Sequence, residues 1–564
     1  MNAVPATLAD LCERYWRFQC DEFPLTAIMA SQPVTHDDLL REAPSDHERR
    51  AHSARTLLAE LAAIDPERLD IAGRASYRLL ERELHILIDS VALWGHLRPA
   101  IFPCGPDFFL NYVAGTVTLQ NEADAARWCA RLLRIPAGLQ GVQDALAAGA
   151  SAGLRTPRLV VERLAAQLAG QLGTPPARSA LYGPYARAAD RFEARATKAL
   201  NAIEHMVYPA LRAYAAFVAD TLGTHARDSL SCADDVHGEA FYRLQIRLHT
   251  GQDIDPALVH RLGLDEVERI GAQMDSVALD AGFAGDLAGY IRQLKDDPGQ
   301  FATSAGHLQE QIEILSKRID AKLPEFFGRL PRSTYGVKLM ASETASGAPP
   351  AYAQPNPADN SAAGVHWVNP LPHKCPRYLH LPIALHEAWP GHLMHTALIQ
   401  EQTHLPAFRR YGALRYAACL EGWALYCENM GVEMGLYDTP DKRYGLLEME
   451  MWRALRLVVD SGIHALGWGR EQAIDLMLQH LALPRATIEA EVDRYIAWPG
   501  QALAYQIGNL KFRALRQRSE ARLGERFDRR AFHDALMAAG PVTLDALDEY
   551  IEAWIGAAAA HAFP

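Results

Sequence analysis

Apolar residues recur at three-and-four spacing through most of the first 330 positions, the pattern of amphipathic helices packed on one another. Ser76 to Leu97 predicts a long helix with Leu79, Leu80, Leu84, Ile86, Leu87 and Val91 on its buried side. Asp124 to Ile135 predicts a second, stopped by Pro136. Pro157–Leu172, Tyr185–Leu222, Leu264–Ala281 and Ala305–Leu323 read the same way, set apart by Gly and Pro. The Ala-rich stretch from Ala186 to Leu222 is expected to break at Pro209. These helices read as scaffold.

The pattern changes between about 331 and 372. TYGVKLMA (334–341) and GVHWVNPLP (364–372) are short and alternating or β-branched, and ASGAPPAYAQPNPADNSAAG joins them. This predicts a small sheet with a loop beside it. Helices resume near Tyr378. Thr439-Pro440-Asp441 is a helix start, a capping hydroxyl followed by Pro at the first helical position, and that helix is expected to reach Trp468. The expected architecture is therefore mainly α: a helical N-terminal lobe (1–330) and a catalytic region (331–564) with a small sheet beside a cleft. The boundary near 330 is soft, because the two can pack as one unit.

Composition narrows the function classes. With 564 residues, 49% hydrophobic and 22% charged, the chain has ordinary globular proportions. A net charge of −12 argues against a nucleic-acid surface, which needs clustered Lys and Arg. The densest basic stretch, Phe512 to Arg530, interleaves acids and apolar residues and reads as a solvated helix face. Eight scattered cysteines without CxxC spacing suit a reducing compartment. The N-terminal MNAVPATLADLCERYWRFQCDEFP lacks the basic and uninterrupted apolar parts of a secretory leader. No apolar run reaches the roughly 20 residues of a bilayer crossing. A soluble, cytoplasmic protein without nucleic-acid or membrane partners is the expectation.

Two stretches carry the chemistry: HEAWPGHLMH (386–395) and EGWALYCE (421–428). Imidazoles and carboxylates this close suit a zinc hydrolase, with His and Glu ligands, an open position for water and one further carboxylate as proton acceptor. His386 and His392 are six residues apart, and in an unbroken helix they would point about 120° from each other. Convergence therefore demands a departure at Pro390-Gly391, a local bulge that absorbs two residues. Glu421 and Glu428, seven apart, share one helix face; Glu421 is the expected third ligand and Glu428 the group behind it, orienting a liganding His. A set of two His and one Glu suits zinc and also takes Mn, Co or Ni.

Taken with RLVVDSGIHALGW (456–468) and PGQALAYQIG (499–508), and more weakly FYRLQIRLHTG (241–251) and LGLDEVERIGAQM (262–274), these motifs resemble the bacterial DUF885 proteins, a zincin-like group placed among gluzincin-type metallopeptidases. The resemblance spans most of the chain. It implies a predominantly helical fold with a small sheet, a metal site of His386, His392 and Glu421, and Glu387 as the catalytic carboxylate. The family usually has Gln where this chain has His395, which makes His395 an additional polar group facing the substrate or an alternative ligand.

Arg456, Asp460 and His464 stand four apart, with Arg453 close to their stripe. From spacing they form an internal salt-bridge ladder or an active-site wall. The resemblance favours the wall for His464, as a hydrogen-bond donor to an oxyanion, with Asp460 behind the site. Arg453 or Arg456 would take a substrate carboxylate in a bidentate fork, favouring C-terminal trimming. After the Pro499-Gly500 turn, Gln501 and Tyr505 share a helix face. Gln501 is a substrate contact, and Tyr505 is a second oxyanion donor or a core tyrosine; Tyr495 is a weaker candidate. GxSxG, GxxxxGK[ST] and GxGxxG signatures are absent, and Cys419 and Cys427 read as small core residues. The expected function is zinc-dependent hydrolysis of short peptides, by a carboxypeptidase or an oligopeptidase, with VHWVNP or the loop before it as a substrate-pairing edge. The alternatives are hydrolysis of a non-peptide amide and a helical binding protein with a decayed site.

Overall fold

The computed structural model describes residues 7–99, 101–342, 345, 348–358 and 360–560. It is 72% helix and 3% strand. The elements that position the site are α1 (Gly238–Thr250), α2 (Pro256–Asp280), β1 (Tyr335–Leu339), β2 (Ala351–Gln354), β3 (Gly364–Val368), α3 (Arg377–Glu387), α4 (His392–Glu401), α5 (Ala417–Glu433), α6 (Pro440–Leu466), α7 (Arg485–Ala497) and α8 (Ala504–Leu523). The first six residues of the stretch scanned for a leader lie outside the described part; Leu8–Glu22 is a helix. No helix among the described residues is long and apolar enough to cross a membrane.

Helix α6 is the axis of the molecule. Every residue from Tyr444 to His464 is buried, although the run includes Glu448, Glu450, Arg453, Arg456, Asp460 and His464. A helix buried all round is normally apolar, so each of these groups must find a partner inside. Glu448 accepts from Tyr444 Oη and the Ala482 amide, both at 2.7 Å, and Glu450 meets Arg269 of α2 at 2.7 Å and Arg513 of α8 at 3.1 Å. Thr439 caps the first turn as its sequence predicts, accepting from the Lys442 amide.

Residue 330 is no core boundary. One apolar cluster joins Leu39 and Ile270 to Tyr378 and Met451, and another joins Leu11 and Leu80 to Leu385, Trp423 and Ile551.

Proline misleads twice. Pro136 lies inside a helix running from Glu122 to Ser151, because Leu132, Ile135, Leu139 and Val142 keep packing on both sides of it. Their burial, at roughly 1.5–3 kcal/mol per side chain, offsets a penalty of about 3 kcal/mol for the internal proline. Pro209 does not break the Ala-rich segment either. A wide π turn over Ile203–Val207 precedes it, and the interruption falls instead between helices Gly183–Arg187 and Glu193–Ala202.

The sheet has the order β1-β3-β2, with β1 parallel and β2 antiparallel to β3. Strand β2, AYAQ, falls in the stretch expected to be loop; its two neighbouring prolines hide a four-residue strand. VHWVNP is the central strand and is paired on both sides, so it offers no free edge; the preceding segment, as β2, is an edge.

Candidate metal centre

The HEAWPGH motif is two helices, not one bulged helix. Helix α3 ends at Glu387, Ala388 and Gly391 adopt ψ values of −127° and −133°, the Trp389–Pro390 peptide is cis, and α4 begins at His392. The Leu393 amide closes the corner on the Ala388 carbonyl at 3.2 Å, and Trp423 Nε1 of α5 donates to the Pro390 carbonyl at 2.9 Å. Gly391 is required by close approach: a Cβ there would sit 1.9 Å from the His386 carbonyl oxygen. The full break turns the first residue of α4 back toward the last turn of α3.

It brings the imidazoles together. The rings of His386 and His392 lie edge to face, 4.7 Å between centroids. Their Nε2 atoms stand 3.4 and 3.5 Å from the same oxygen, Glu421 Oε2. All three ligand-type atoms fall within 4.8 Å of one another. Side-chain exposures of 5, 13 and 18% leave the cluster largely buried but reachable by solvent. Glu428, two turns along α5 from Glu421, holds His386 Nδ1 at 2.8 Å.

This donor set fits a divalent cation. A proton on His386 Nδ1, facing Glu428, leaves Nε2 a lone pair directed at a carboxylate oxygen, which itself has no hydrogen-bond partner although buried. Acceptors pointed at each other repel unless a cation lies between them. Burial opposes charge on His386, yet the Glu421 and Glu428 carboxylates outweigh it and push the imidazole up to about 9, so that without a cation a second proton on Nε2 occupies the place between it and Glu421. Burial resists ionisation of Glu421 too, but the two imidazoles hold its carboxyl far below the usual range.

Helices α5 and α8 cross in backbone contact beside this cluster. A Cβ on Gly422 would meet Gly508 Cα at 2.5 Å, and one on Gly508 would meet the Ala418 carbonyl at 2.0 Å. Glu421 precedes the first glycine and Tyr505 lies one turn before the second, so the crossing sets them side by side. Burial, then the neighbouring Glu421 charge, raises the Tyr505 phenol. Glu387 is half-buried at the end of α3, beside His386 in sequence.

Four expectations are corrected. His464 is buried with both ring nitrogens engaged: Nδ1 accepts from the Cys232 amide at 3.2 Å and Nε2 donates to the Tyr495 carbonyl at 2.9 Å. Desolvation holds it neutral, down to about 4, and it has no N–H left for an oxyanion. Asp460 serves the Pro499-Gly500 turn, accepting from the Gly500 amide at 3.0 Å and from Tyr242 Oη at 2.7 Å; it is not behind the metal ligands. His395 is 1% exposed against Trp423, with neither ring nitrogen partnered, and stands outside the three-residue cluster; burial takes it down to about 3. It neither faces a cleft nor joins the ligands. Arg456, Asp460 and His464 form no ladder, since each bonds elsewhere.

The arginines divide. Arg453 Nη2 lies 3.6 Å from Glu428 Oε1, supporting the carboxylate that orients His386. Arg456 bonds Glu491 at 3.1 Å and lies over the Tyr505 ring at 4.2 Å. Gln501 accepts from Arg494. Tyr495 Oη is occupied by Glu491, Arg456 and Trp452. Cys419 and Cys427 are buried core residues. Glu491 and Arg494 escape the sequence reading; their one-turn spacing with Tyr495 on α7, just before WPGQ, is the signal that could have found them.

The model of the family described as "Bacterial protein of unknown function (DUF885)" matches residues 24–551. This chain belongs to the DUF885 family. No curated protein matches it. Two solved structures share the fold of this DUF885 protein over nearly the whole chain. One is a candidate lipoprotein from Colwellia psychrerythraea, with 25% identity, a TM-score of 0.90, and coverage of 98% of this chain and 99% of that one. The other, a candidate lipoprotein of unknown function from Shewanella oneidensis, has 16% identity, a TM-score of 0.76, and coverage of 97 and 100%.

Proposed function

We propose that this DUF885 protein is a zinc-dependent hydrolase of amide bonds, acting on short peptides through a zincin-like site. One observation carries the reading: His386 Nε2, His392 Nε2 and Glu421 Oε2 gather within 4.8 Å of one another across a helix broken at WPG, with Glu421 Oε2 buried and unpartnered and Glu428 fixing the His386 ring. His386 and His392 would hold the ion through Nε2, and Glu421 through a carboxylate oxygen. Bound there, zinc supplies the Lewis acidity that brings a water's pKa to about 7.

The remaining work falls to the chain. Glu387 takes the proton from the attacking water and returns it to the leaving amine. Tyr505 donates a hydrogen bond to the oxyanion that develops on the amide carbonyl. Glu428 keeps His386 in the tautomer whose Nε2 is free, and Arg453 pairs with Glu428 at 3.6 Å.

The test begins with metal analysis of the purified protein, where one equivalent of zinc is expected. Glu387→Gln should retain that metal and lose about 10²–10⁴-fold in turnover of a tripeptide pool. Equal rates in variant and wild type would remove Glu387 as the base. Zinc-loaded wild type inert toward peptides and simple amides alike would end the hydrolase reading.

A further inference from the structure

Beside Tyr505, two guanidiniums share one carboxylate. Arg494 donates to Glu491 through Nε at 3.2 Å and Nη2 at 2.9 Å, and its third bond goes to Gln501. Arg456 donates through Nη2 to the same Glu491 at 3.1 Å and through Nε to Tyr495 Oη at 3.1 Å. Its guanidinium is layered between the rings of Tyr505, 4.2 Å away, and Trp452, 4.9 Å away. The remaining nitrogen, Nη1, is buried and has no partner, on a residue only 5% exposed. Asp460, one turn on, bonds Gly500 and Tyr242 instead.

The cluster thus holds one positive charge in excess and one idle charged donor, both costly inside a protein. Two contacts place this buried donor near the site. Gly422 against Gly508 puts Tyr505 beside Glu421, and Arg456 lies directly on the Tyr505 ring. Glu491 and Arg494 are part-exposed, at 19 and 16%, as are His392 and Glu421, at 13 and 18%. Arg453 also has an unpartnered nitrogen, Nε, but its opposite edge faces Glu428, where a second anion would be repelled.

We propose that Arg456, through Nη1 and with Tyr505 beside it, receives the free α-carboxylate of a peptide substrate, so that this protein trims peptides from their C-terminal ends. The inference rests on the hydrolase reading and deepens it. The scissile C–N bond would be the one next to that terminus; water adds across it, leaving a new carboxylate on the shortened peptide and an amine on the released residue.

Two measurements on the full-length protein test this separately from the hydrolase reading. Zinc-loaded wild type is offered a pool of tripeptides with free C-termini and the same pool amidated. The free acids should react about 10- to 100-fold faster in kcat/KM, the worth of a charge-assisted hydrogen bond. Arg456→Gln should collapse that ratio toward one, and Arg456→Lys should restore part of it. In parallel, thermal shift on Glu387→Gln should show stabilisation by the free-acid pool at concentrations at least about 10-fold lower than by the amidated pool. Acid-selective binding without hydrolysis by wild type keeps the subsite and sinks the hydrolase. Hydrolysis that ignores the C-terminal group sinks the subsite and keeps the hydrolase. If Arg456→Gln does not fold, the wild-type ratio and the thermal shift still decide, and equal stabilisation by both pools, or by neither, overturns the proposal.

Discussion

His386 and His464 both read as site residues from sequence, the first as a metal ligand and the second as an oxyanion donor, and both are buried on helices. Their surroundings are opposite. Both nitrogens of His464 are bonded to main chain, from the Cys232 amide and to the Tyr495 carbonyl. His386 has one nitrogen bonded to Glu428, while the other faces His392 and an unpartnered Glu421 oxygen. Burial drives the first imidazole down to about 4; the second is pushed up to about 9 against the same desolvation. A structural histidine is recognised by closure of its hydrogen bonds, and a ligand by what its free lone pair meets.

The comparison can be broken most directly by deleting each ring. His386→Ala should reduce bound zinc from one equivalent to near none by elemental analysis. His464→Ala should leave the metal in place and cost about 2–6 kcal/mol of stability in denaturant unfolding, at about 1–3 kcal/mol for each of two orphaned main-chain groups. Metal loss in the His464 variant would show that the two histidines are not so different.

Glu428→Gln sharpens the same contrast with a smaller effect. It removes the charge that orients His386 without touching a ligand atom, and should weaken zinc binding about 10- to 100-fold in chelator competition.

The smallest effect lies in pH dependence. Desolvation raises the Asp460 carboxyl to about 7 against the Tyr242 and Gly500 hydrogen bonds, and a free aspartate titrates near 3.9. A raised pKa stabilises the fold fully below the unfolded value and loses that contribution as pH rises through about 7. Asp460→Asn has no such proton to lose. Its melting temperature relative to wild type should therefore rise between pH 4 and pH 8, and a constant difference would place Asp460 outside this balance.

Much of the fold was legible in the chain, because helices with strong periodicity and clear caps need little context. The Thr439 start and the helices near 158–172 and 305–320 are of that kind. Pro136 and β2 were not, since packing on both sides of Pro136 and pairing of AYAQ with β3 are tertiary facts. In the site, the need for a break at Pro390-Gly391 was visible as arithmetic on helical angle, while its form, a complete corner pinned by Trp423, was not. The roles of Asp460, His464 and the Glu491–Arg494 pair turned on which backbone groups lie opposite them, and residue spacing carries no information about that.

The glycine crossing of α5 and α8 sets a tolerance for the whole centre. Glu421 and Tyr505 come from separate helices, and nothing but hydrogen atoms lies between those helices at the contact point. Mutation at Gly422 or Gly508 can therefore only widen the gap, by about the thickness of a methyl group, and cannot narrow it. Gly422 and Gly508 are thus already in close contact, with no room for a side chain on either.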